Sequence, residues 1–253
     1  MLTKIFLSGC RGRMGRVITE IVANAADMEI VAGSDLTASN DGPFPVFDDP
    51  NKFTADFDVL IDFSNPAALP GVFQLIRQKR CPAVICTTGL DENLELELQQ
   101  LSTQAAVFKS ANMSLGINLM INLARQAARL LYPTFDIEIV EAHHNQKVDA
   151  PSGTALMIAG EINDELDNQM NLIFDRSAVR QKRDSREIGV HAIRGGSIVG
   201  EHTVIYAGQD EVFSMHHSAT SRDVFARGAV AAARFMFGKP AGRYDMTDLI
   251  KGQ

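Results

Sequence analysis

Short apolar runs alternate with amphipathic helical stretches along the first 110 residues. Five of these runs are predicted to be buried β-strands: Lys4–Ser8, Glu29–Gly33, Val59–Phe63, Ala83–Thr87 and Ala106–Ser110. Between them, helices are predicted over Arg13–Ala25, after Pro66 and over Asp91–Ala105. A loop rich in Pro, Asp and Asn is predicted over Thr37–Asn51. Short apolar strands that alternate with helices are typical of a parallel sheet covered on both faces.

The pattern changes in the second half of the chain. Its predicted elements are helices over Leu115–Leu131, Thr154–Leu166 and Arg222–Phe237, and a strand over Phe135–Glu141. Three further runs, Glu187–Arg194, Glu201–Ala207 and Glu211–His217, are separated by turn sequences and predict an antiparallel meander. The chain is therefore predicted to be an α/β protein, with a doubly wound N-terminal domain and a mixed α+β domain. The residues alone leave open which domain the last helix joins.

Composition narrows the class of protein. The 253 residues are 45% apolar and 22% charged, which suits one large or two modest globular domains. The net charge of −7 gives no reason to expect a nucleic-acid partner. Three cysteines in a chain of this length favour a reducing compartment. There is neither a signal-peptide pattern nor an apolar run of the ~20 residues that span a bilayer, so we expect a soluble, cytoplasmic protein.

A glycine-rich loop follows the first strand. Gly9–Gly15 has the spacing G-x-x-G-x-x-G and leads into the first helix. At such a position Gly9 can make the tight turn, Gly12 lets the backbone approach a pyrophosphate, and Gly15 allows the helix to pack closely on the strand. The helix start supplies N–H donors and positive charge for phosphate. The alternative is that the glycines serve the strand–turn–helix geometry alone.

An acidic residue supports the dinucleotide interpretation. Asp35 lies 20 residues beyond Gly15, at the end of the second strand, where a carboxylate can hydrogen-bond the adenosine ribose. A nicotinamide or flavin dinucleotide is the favoured ligand. Arg11 or Arg13 can accept a 2′-phosphate, which keeps NADP open. The alternative for Asp35 is a solvated loop residue.

Ionisable residues are concentrated between residues 141 and 155. His143 and His144 are adjacent, Lys147 follows, and Pro151–Thr154 opens a helix. Backbone N–H groups of Gly153 and Thr154 at that helix start can hold a carboxylate. Lys147 and a histidine would add positive charge at the same anion.

Other interpretations of these motifs remain open from the residues alone. The 141–155 segment can be a polar loop with a helix cap, or a metal site, although a lysine would repel a cation. His216 and His217 end a strand and are interpreted as structural. Cys86–Gly89 is either a plain strand-to-helix turn or a cofactor contact.

Six segments together resemble one enzyme family. They are G-x-x-G-R-M-G at 9–15, C-T-T-G at 86–89, A-N-M-S-L-G-I-N at 111–118, E-A-H-H-N-Q-K-V-D-A-P-S-G-T-A at 141–155, R-G-G-S-I-V-G-E-H-T-V at 194–204 and F-A-R-G-A-V at 225–230. The chain resembles the 4-hydroxy-tetrahydrodipicolinate reductases of bacterial lysine biosynthesis. The resemblance extends over essentially the whole chain, and the 141–155 segment is its most specific part.

The resemblance implies a fold and a reaction. It implies a Rossmann-like dinucleotide-binding domain over 1–112 and 222–253, and a substrate domain over 113–221 with an open mixed sheet that mediates a homotetramer. It also implies hydride transfer from NADH or NADPH to a small, cyclic dicarboxylic imine. The product would be tetrahydrodipicolinate, in the diaminopimelate pathway to lysine.

The resemblance also implies residue roles. The residues implied to contact the cofactor's pyrophosphate are Gly9, Cys10, Arg11, Gly12, Arg13 and Met14, with Asp35 at the ribose. Those implied at the nicotinamide end are Cys86, Thr87, Thr88, Ala111, Asn112, Met113 and Ser114. His143 would be the general acid/base and Lys147 the proton donor. The residues implied to bind the substrate carboxylates are His144, Ser152, Gly153 and Thr154. No metal is implied.

Three departures from the family pattern affect the cofactor. Cys10 and Arg11 stand where small residues are usual, and Cys86 replaces a usual glycine. Leu36 stands where many members carry an arginine for the 2′-phosphate. We therefore expect NADH to serve at least as well as NADPH.

Two rival functions fit the residues without the resemblance. One is another two-domain NAD(P)-dependent dehydrogenase acting on an amino or hydroxy acid. The other is a non-catalytic dinucleotide sensor, which would keep the glycine loop and Asp35 but would not need Lys147 and His143 beside an anion site.

Overall fold

A computed structural model describes residues 2–177 and 180–252 of the chain. It divides into two compact units, one of Met1–Leu115 with Asp223–Gln253 and one of Gly116–Arg222. The last long helix therefore belongs to the first unit, which the residues alone left open.

The described residues form twelve strands and seven α-helices. The strands are β1 Thr3–Ser8, β2 Met28–Ser34, β3 Val46–Phe47, β4 Val59–Asp62, β5 Ala83–Ile85, β6 Ala106–Phe108, β7 Asp136–His143, β8 Asn171–Ile173, β9 Glu187–Arg194, β10 Gly200–Ala207, β11 Val212–Ala219 and β12 Gly242–Tyr244. The helices are α1 Arg13–Ala23, α2 Leu69–Lys79, α3 Glu92–Ser102, α4 Leu115–Leu131, α5 Gly153–Glu165, α6 Asp223–Met236 and α7 Met246–Lys251. Within residues 2–177 and 180–252, each helix is too short or too polar to cross a lipid bilayer.

The first unit contains the predicted parallel sheet. Its strand order is β12-β6-β5-β4-β1-β2-β3, and every strand pairing in it is parallel. Side chains of β1 alternate between two cores: Ile5 and Leu7 pack with α1 and α6, whereas Phe6 packs with α2 and α3. Helices on both faces explain why the strands are continuously apolar. The predicted doubly wound α/β class is confirmed.

The second unit contains a mixed sheet of order β11-β10-β7-β9-β8. β10 is antiparallel to β11 and β7, while β9 is parallel to β7 and β8. One face of this sheet packs against α4 and α5. The open mixed sheet implied by the resemblance is confirmed.

The predicted meander is wrong in one respect. Only β10 and β11 pair as an antiparallel hairpin, because β7 lies between β9 and β10. A turn sequence indicates that the chain reverses direction, but it carries no information about which earlier strand occupies the neighbouring position. The pairing of β7 with both strands is a tertiary property.

Short elements also escaped prediction. The structure adds β3 inside the predicted loop Thr37–Asn51, and it adds β8, β12 and α7. Strands of two or three residues are too short to show a period of two. Long elements fared better: the predicted helix Leu115–Leu131 and the predicted strand Glu187–Arg194 have the observed bounds.

The mixed sheet buries a histidine. His202 on β10 is only 4% exposed, and its Nε2 lies 3.2 Å from the Ser152 hydroxyl. Its Nδ1 has no partner among the described residues. Burial, together with the nearby His143, lowers the pKa of His202 from 6.5 to about 4.

We therefore expect the protein to lose stability on mild acidification. The folded state binds the His202 proton less tightly than the unfolded state, so stability falls as pH drops from 6.5 towards 4. Between pH 6.5 and 5.0 the loss in unfolding free energy should be about 2 kcal/mol, measured by urea denaturation. His202→Asn should remove most of it.

The exposed neighbour His216 provides the control, since His216→Asn leaves His202 in place and should keep most of the pH dependence. Burial also lowers the pKa of His217, which accounts for a residual slope. The pKa values of Glu138 and Glu141 are lowered from 4.5, so these carboxylates titrate below the window. An unchanged slope in His202→Asn would contradict the assignment.

Candidate functional site

The loop after β1 can be built only with glycine at two positions. Gly9 has a φ of +74°, and a Cβ there would lie 2.4 Å from the carbonyl oxygen of Phe63. A Cβ on Gly15 would lie 2.2 Å from the carbonyl oxygen of Gly9. The Gly9 N–H donates to the Ser34 carbonyl at 2.9 Å. The close approach to Phe63 and the hydrogen bond to Ser34 thus place the loop against the ends of β4 and β2.

The start of α1 suits an anion. Gly12 is its N-cap residue, without a side-chain cap and without an acidic residue in the first turn. A helix start with unpaired N–H groups and no competing negative charge favours a phosphate.

A pocket of about 580 Å³ borders this loop in the first unit. Gly9, Arg11 and Gly12 line it, together with Asp35 and Leu36. The Asp35 carboxylate accepts hydrogen bonds from the N–H groups of Arg11 and Leu36, each at 2.8 Å. These bonds hold the Asp35 carboxylate beside the glycine loop, where it could accept a hydrogen bond from a ribose hydroxyl.

Three residues implied at the pyrophosphate are not among the residues that line this pocket. Arg13 is exposed and Met14 half-buried in the first turn of α1. Cys10 is 4% exposed and belongs to the core, where a Cβ on Gly33 would lie 2.8 Å from its sulfur. Burial and the nearby Asp35 raise the pKa of the Cys10 thiol to about 11. Cys10 therefore offers the loop its backbone rather than a reactive thiol.

The segment after β5 contacts a buried carboxylate that sequence reasoning missed. Asp62, at the end of β4, has no exposed surface, and burial raises its pKa. The Thr87 hydroxyl donates to it at 2.6 Å, and the Ser64 hydroxyl at 2.5 Å. Cys86 is buried while Thr88 is exposed. The sequence signal was an acidic residue at the end of the apolar run VLID.

The 111–114 segment is fixed by its own polar groups and by α6. The Ser114 N–H donates to the Asn112 side chain at 2.8 Å, and the Ser110 hydroxyl donates to the Asn112 carbonyl at 3.1 Å. A Cβ on Gly228 would lie 1.7 Å from the Met113 carbonyl oxygen. This contact accounts for the glycine in the F-A-R-G-A-V motif. Ala111 is exposed.

In the second unit, the predicted residues lie around the end of β7 and the start of α5. Ser152 caps α5, because its hydroxyl accepts a hydrogen bond from the Ala155 N–H at 3.2 Å. Gly153 and Thr154 form the first turn of that helix. His144 is half-buried in the loop that follows β7.

Lys147, one of the donors predicted to bind a carboxylate, is already paired with one. Its ammonium lies 2.8 Å from a carboxylate oxygen of Asp149. This contact is the largest cause that lowers the pKa of Asp149, and the nearby backbone at Gly153 contributes in the same direction. The loop and the helix start are thus chemically competent to bind a carboxylate.

Glu141 connects the predicted residues to each other, and sequence reasoning missed it. Its carboxylate has no exposed surface. Arg194 donates to both of its oxygens, at 2.6 and 2.8 Å, and the Ser152 N–H donates at 2.9 Å. His143 Nδ1 lies 2.6 Å away. Burial alone would raise the pKa of Glu141, but these hydrogen bonds hold it below 4.5.

His143 is held between strands. Its side chain is 12% exposed, and its ring meets that of His202 edge-on at 5.3 Å. Within residues 2–177 and 180–252, no group of three or more His, Cys, Asp and Glu side chains is arranged to hold a metal ion.

Two family models match nearly the whole chain. Residues 3–113 match "Dihydrodipicolinate reductase, N-terminus" and residues 116–250 match "Dihydrodipicolinate reductase, C-terminus".

Individual proteins agree with the models. The chain is 47% identical over 251 residues to the 4-hydroxy-tetrahydrodipicolinate reductase of Clostridium tetani, covering 99% of this chain and 98% of that protein. It is 46% identical over 253 residues to that of Caldanaerobacter subterraneus, covering 99% of each. A dipicolinate-bound dihydrodipicolinate reductase from Paenisporosarcina sp. TG-14 superposes with a TM-score of 0.82 at 25% identity, covering 97% of this chain and 98% of that one. The chain therefore belongs to the dihydrodipicolinate reductase family, and its expected assignment as an NAD(P)H-dependent oxidoreductase is confirmed.

Proposed function

We propose that this chain reduces 4-hydroxy-tetrahydrodipicolinate to tetrahydrodipicolinate, with His143 and Lys147 handling the proton. The observation that carries this proposal is the carboxylate site at the start of α5. Lys147 pairs with the Asp149 carboxylate close to Gly153, in a unit whose β7 ends in an oriented histidine. A dicarboxylic substrate supplies the same chemical group.

On binding, a carboxylate of the substrate would replace the Asp149 carboxylate beside Lys147. Asp149 is 58% exposed at its side chain, so it can move away from Lys147 without disturbing a core. His144, Ser152, Gly153 and Thr154 are the residues proposed to receive the carboxylates of the substrate. The positive end of α5 favours an anion at this position.

The cofactor domain fits NADH or NADPH. Gly9 and Gly12 leave the loop backbone open to a pyrophosphate, and the pocket beside them is lined by Asp35 at the ribose position. The bound nicotinamide cofactor supplies the hydride. Thr87, Thr88 and the 111–114 segment remain proposed contacts of its nicotinamide end.

The protein must also supply a proton to the substrate. Hydride addition to a conjugated imine places negative charge on the ring, which a positioned acid must neutralise. Lys147 is proposed to deliver the proton and His143 to act as the general acid/base. Both lie in the segment that holds the carboxylate.

We expect Lys147→Ala and His143→Ala each to lower kcat by about 10²–10⁴, because each removes a proton-transfer group. Dinucleotide affinity should stay near normal. The assay follows oxidation of NADH and NADPH by the nicotinamide absorbance, with substrate generated from aspartate semialdehyde and pyruvate by a coupling synthase. Lys182→Ala, at an exposed lysine of the same unit, is the control and should keep full turnover.

Each outcome has a distinct meaning. Unchanged turnover in either variant removes that residue from the mechanism. No turnover by the wild-type protein that still binds NADH favours the sensor or another dehydrogenase substrate. A thermal shift with pyridine-2,6-dicarboxylate separates the reductase from a sensor, because the reductase should respond both to this compound and to dinucleotide, whereas a sensor should respond to dinucleotide alone.

We expect NADH to be used at least as well as NADPH. Asp35, Asp48 and Asp49 line the cofactor pocket and would repel a 2′-phosphate, and Leu36 beside them is 87% exposed and uncharged. Leu36→Arg should raise the NADPH/NADH ratio of kcat/KM by about tenfold, or ~1.4 kcal/mol. Leu96→Arg, at an exposed leucine of α3, should leave the ratio unchanged. A wild-type preference for NADPH above about tenfold would contradict the expectation.

We also propose a homotetramer assembled through the open face of the mixed sheet. That face lies opposite α4 and α5, and it carries Ile193, 51% exposed, and Val212, 64% exposed. Light scattering should then give about 110 kDa, four times 27.6 kDa. Ile193→Glu should lower this mass, whereas Leu130→Glu on α4 should not. A wild-type mass of 27.6 kDa would rule the assembly out.

The cytoplasm is the proposed location. Cys10, Cys81 and Cys86 are all buried free thiols, which suits a reducing compartment.

A further inference from the structure

We propose that Glu141, clamped by Arg194, is a positioning residue that fixes the tautomer and orientation of His143. This inference rests on the proposed function, since it concerns the histidine assigned there to proton transfer. Neither Glu141 nor Arg194 is expected to touch the substrate.

Glu141 carries a negative charge although it is buried. A buried carboxylate is tolerated only when its oxygens are hydrogen-bonded and its charge is paired. Arg194 satisfies both needs through two parallel bonds of 2.6 and 2.8 Å. The bonds from Arg194 and His143 keep the pKa of Glu141 low despite its burial, so it is a carboxylate at neutral pH.

The Glu141 carboxylate determines which nitrogen of His143 carries the proton. A carboxylate can only accept a hydrogen bond, so the 2.6 Å contact requires a proton on His143 Nδ1. In the neutral ring that assignment leaves Nε2 without a proton. Nε2 is thereby made the nitrogen that exchanges a proton, and Nδ1 keeps its own throughout. The arrangement follows the logic by which an acidic residue orients a catalytic histidine.

Gly200 and several charged or titratable groups surround the His143 ring. A Cβ on Gly200 would lie 3.1 Å from His143 Nε2, so any larger residue at this position would crowd the nitrogen. The charged and titratable groups around the ring are Glu141 on the same strand, Arg194 on β9, His202 on β10, and beyond them Lys147 and His217. Burial and neighbouring His143 keep the pKa of His202 at about 4, so His202 is neutral at neutral pH.

Arg194 extends the same support to the loop that carries Lys147. One of its nitrogens donates to the Asp149 carbonyl at 2.6 Å. Glu141 in turn accepts from the Ser152 N–H at the start of α5. A single buried ion pair therefore anchors the histidine, the lysine loop and the carboxylate site.

The test is a double-mutant cycle with Glu141→Gln and His143→Ala. The glutamine amide can donate to Nδ1 and favour the wrong tautomer, so Glu141→Gln should lower kcat by about 10–10³-fold. Dinucleotide affinity should change by less than about twofold. In the His143→Ala background the same substitution should cost less than about threefold, because its effect acts through the missing ring.

Glu138→Gln is the matched control. Glu138 lies on the same strand but on the opposite face, and it too bonds a histidine, His191, and two arginines, Arg176 and Arg183. It loses a comparable set of ion pairs without touching His143, so kcat should be retained in protein whose mass by light scattering equals that of the wild type. If Glu141→Gln does not fold, judged by thermal unfolding and NADH binding, Arg194→Lys replaces it in the cycle, since lysine loses the two-pronged contact.

The outcomes separate this inference from the proposed function. Wild-type turnover that falls in His143→Ala but not in Glu141→Gln overturns the positioning role and leaves the function intact. Equal losses from Glu141→Gln with and without His143 also overturn it, because they indicate a merely structural effect. Absence of wild-type turnover overturns the function itself.

Discussion

The candidate site in the mixed-sheet unit depends on one buried carboxylate, that of Glu141. Glu141 has no exposed surface, so each of its hydrogen-bond positions must be filled by the protein. Arg194, His143 and the Ser152 N–H fill them, and these groups come from β9, from β7 itself and from the start of α5. Three elements are thereby held at one point, beside the proposed carboxylate site.

This arrangement follows from strand order. The parallel register of β7 and β9 pairs His143 with Arg194, and the antiparallel register of β7 and β10 pairs Glu141 with His202. With β9 and β10 adjacent in a meander, Arg194 and His202 could not flank β7 from opposite sides. The insertion of β7 between them is therefore what assembles the site, and it is also the feature that local turn signals could not predict.

Sequence reasoning identified the candidate residues that lie in continuous segments. The glycine loop, Asp35 and the start of α5 are each recognisable from neighbouring residues, and the structure has a strand–turn–helix at the first and a helix start at the last. Their binding roles stay predictions. Sequence reasoning failed for Glu141 and Asp62, because each is an acidic residue at or near the end of a strand and has, besides a partner two residues away, a partner from a distant position. Thr87 is 25 residues from Asp62, and Arg194 is 53 residues from Glu141. Only the register of the sheets brings such partners together.

The two buried carboxylates also differ in a way that matters for their roles. Asp62 is surrounded by the hydroxyls of Ser64 and Thr87, and burial raises its pKa, whereas Arg194 and the other donors keep that of Glu141 low. A buried ion pair generally contributes little net stability compared with apolar side chains of similar size. Stability alone therefore gives little reason to place Glu141 and Arg194 in the sheet. Control of the proton on His143 does give a reason, because a carboxylate can only accept a hydrogen bond and so keeps the proton on Nδ1. An apolar side chain cannot accept a hydrogen bond, and a hydroxyl can donate as well as accept.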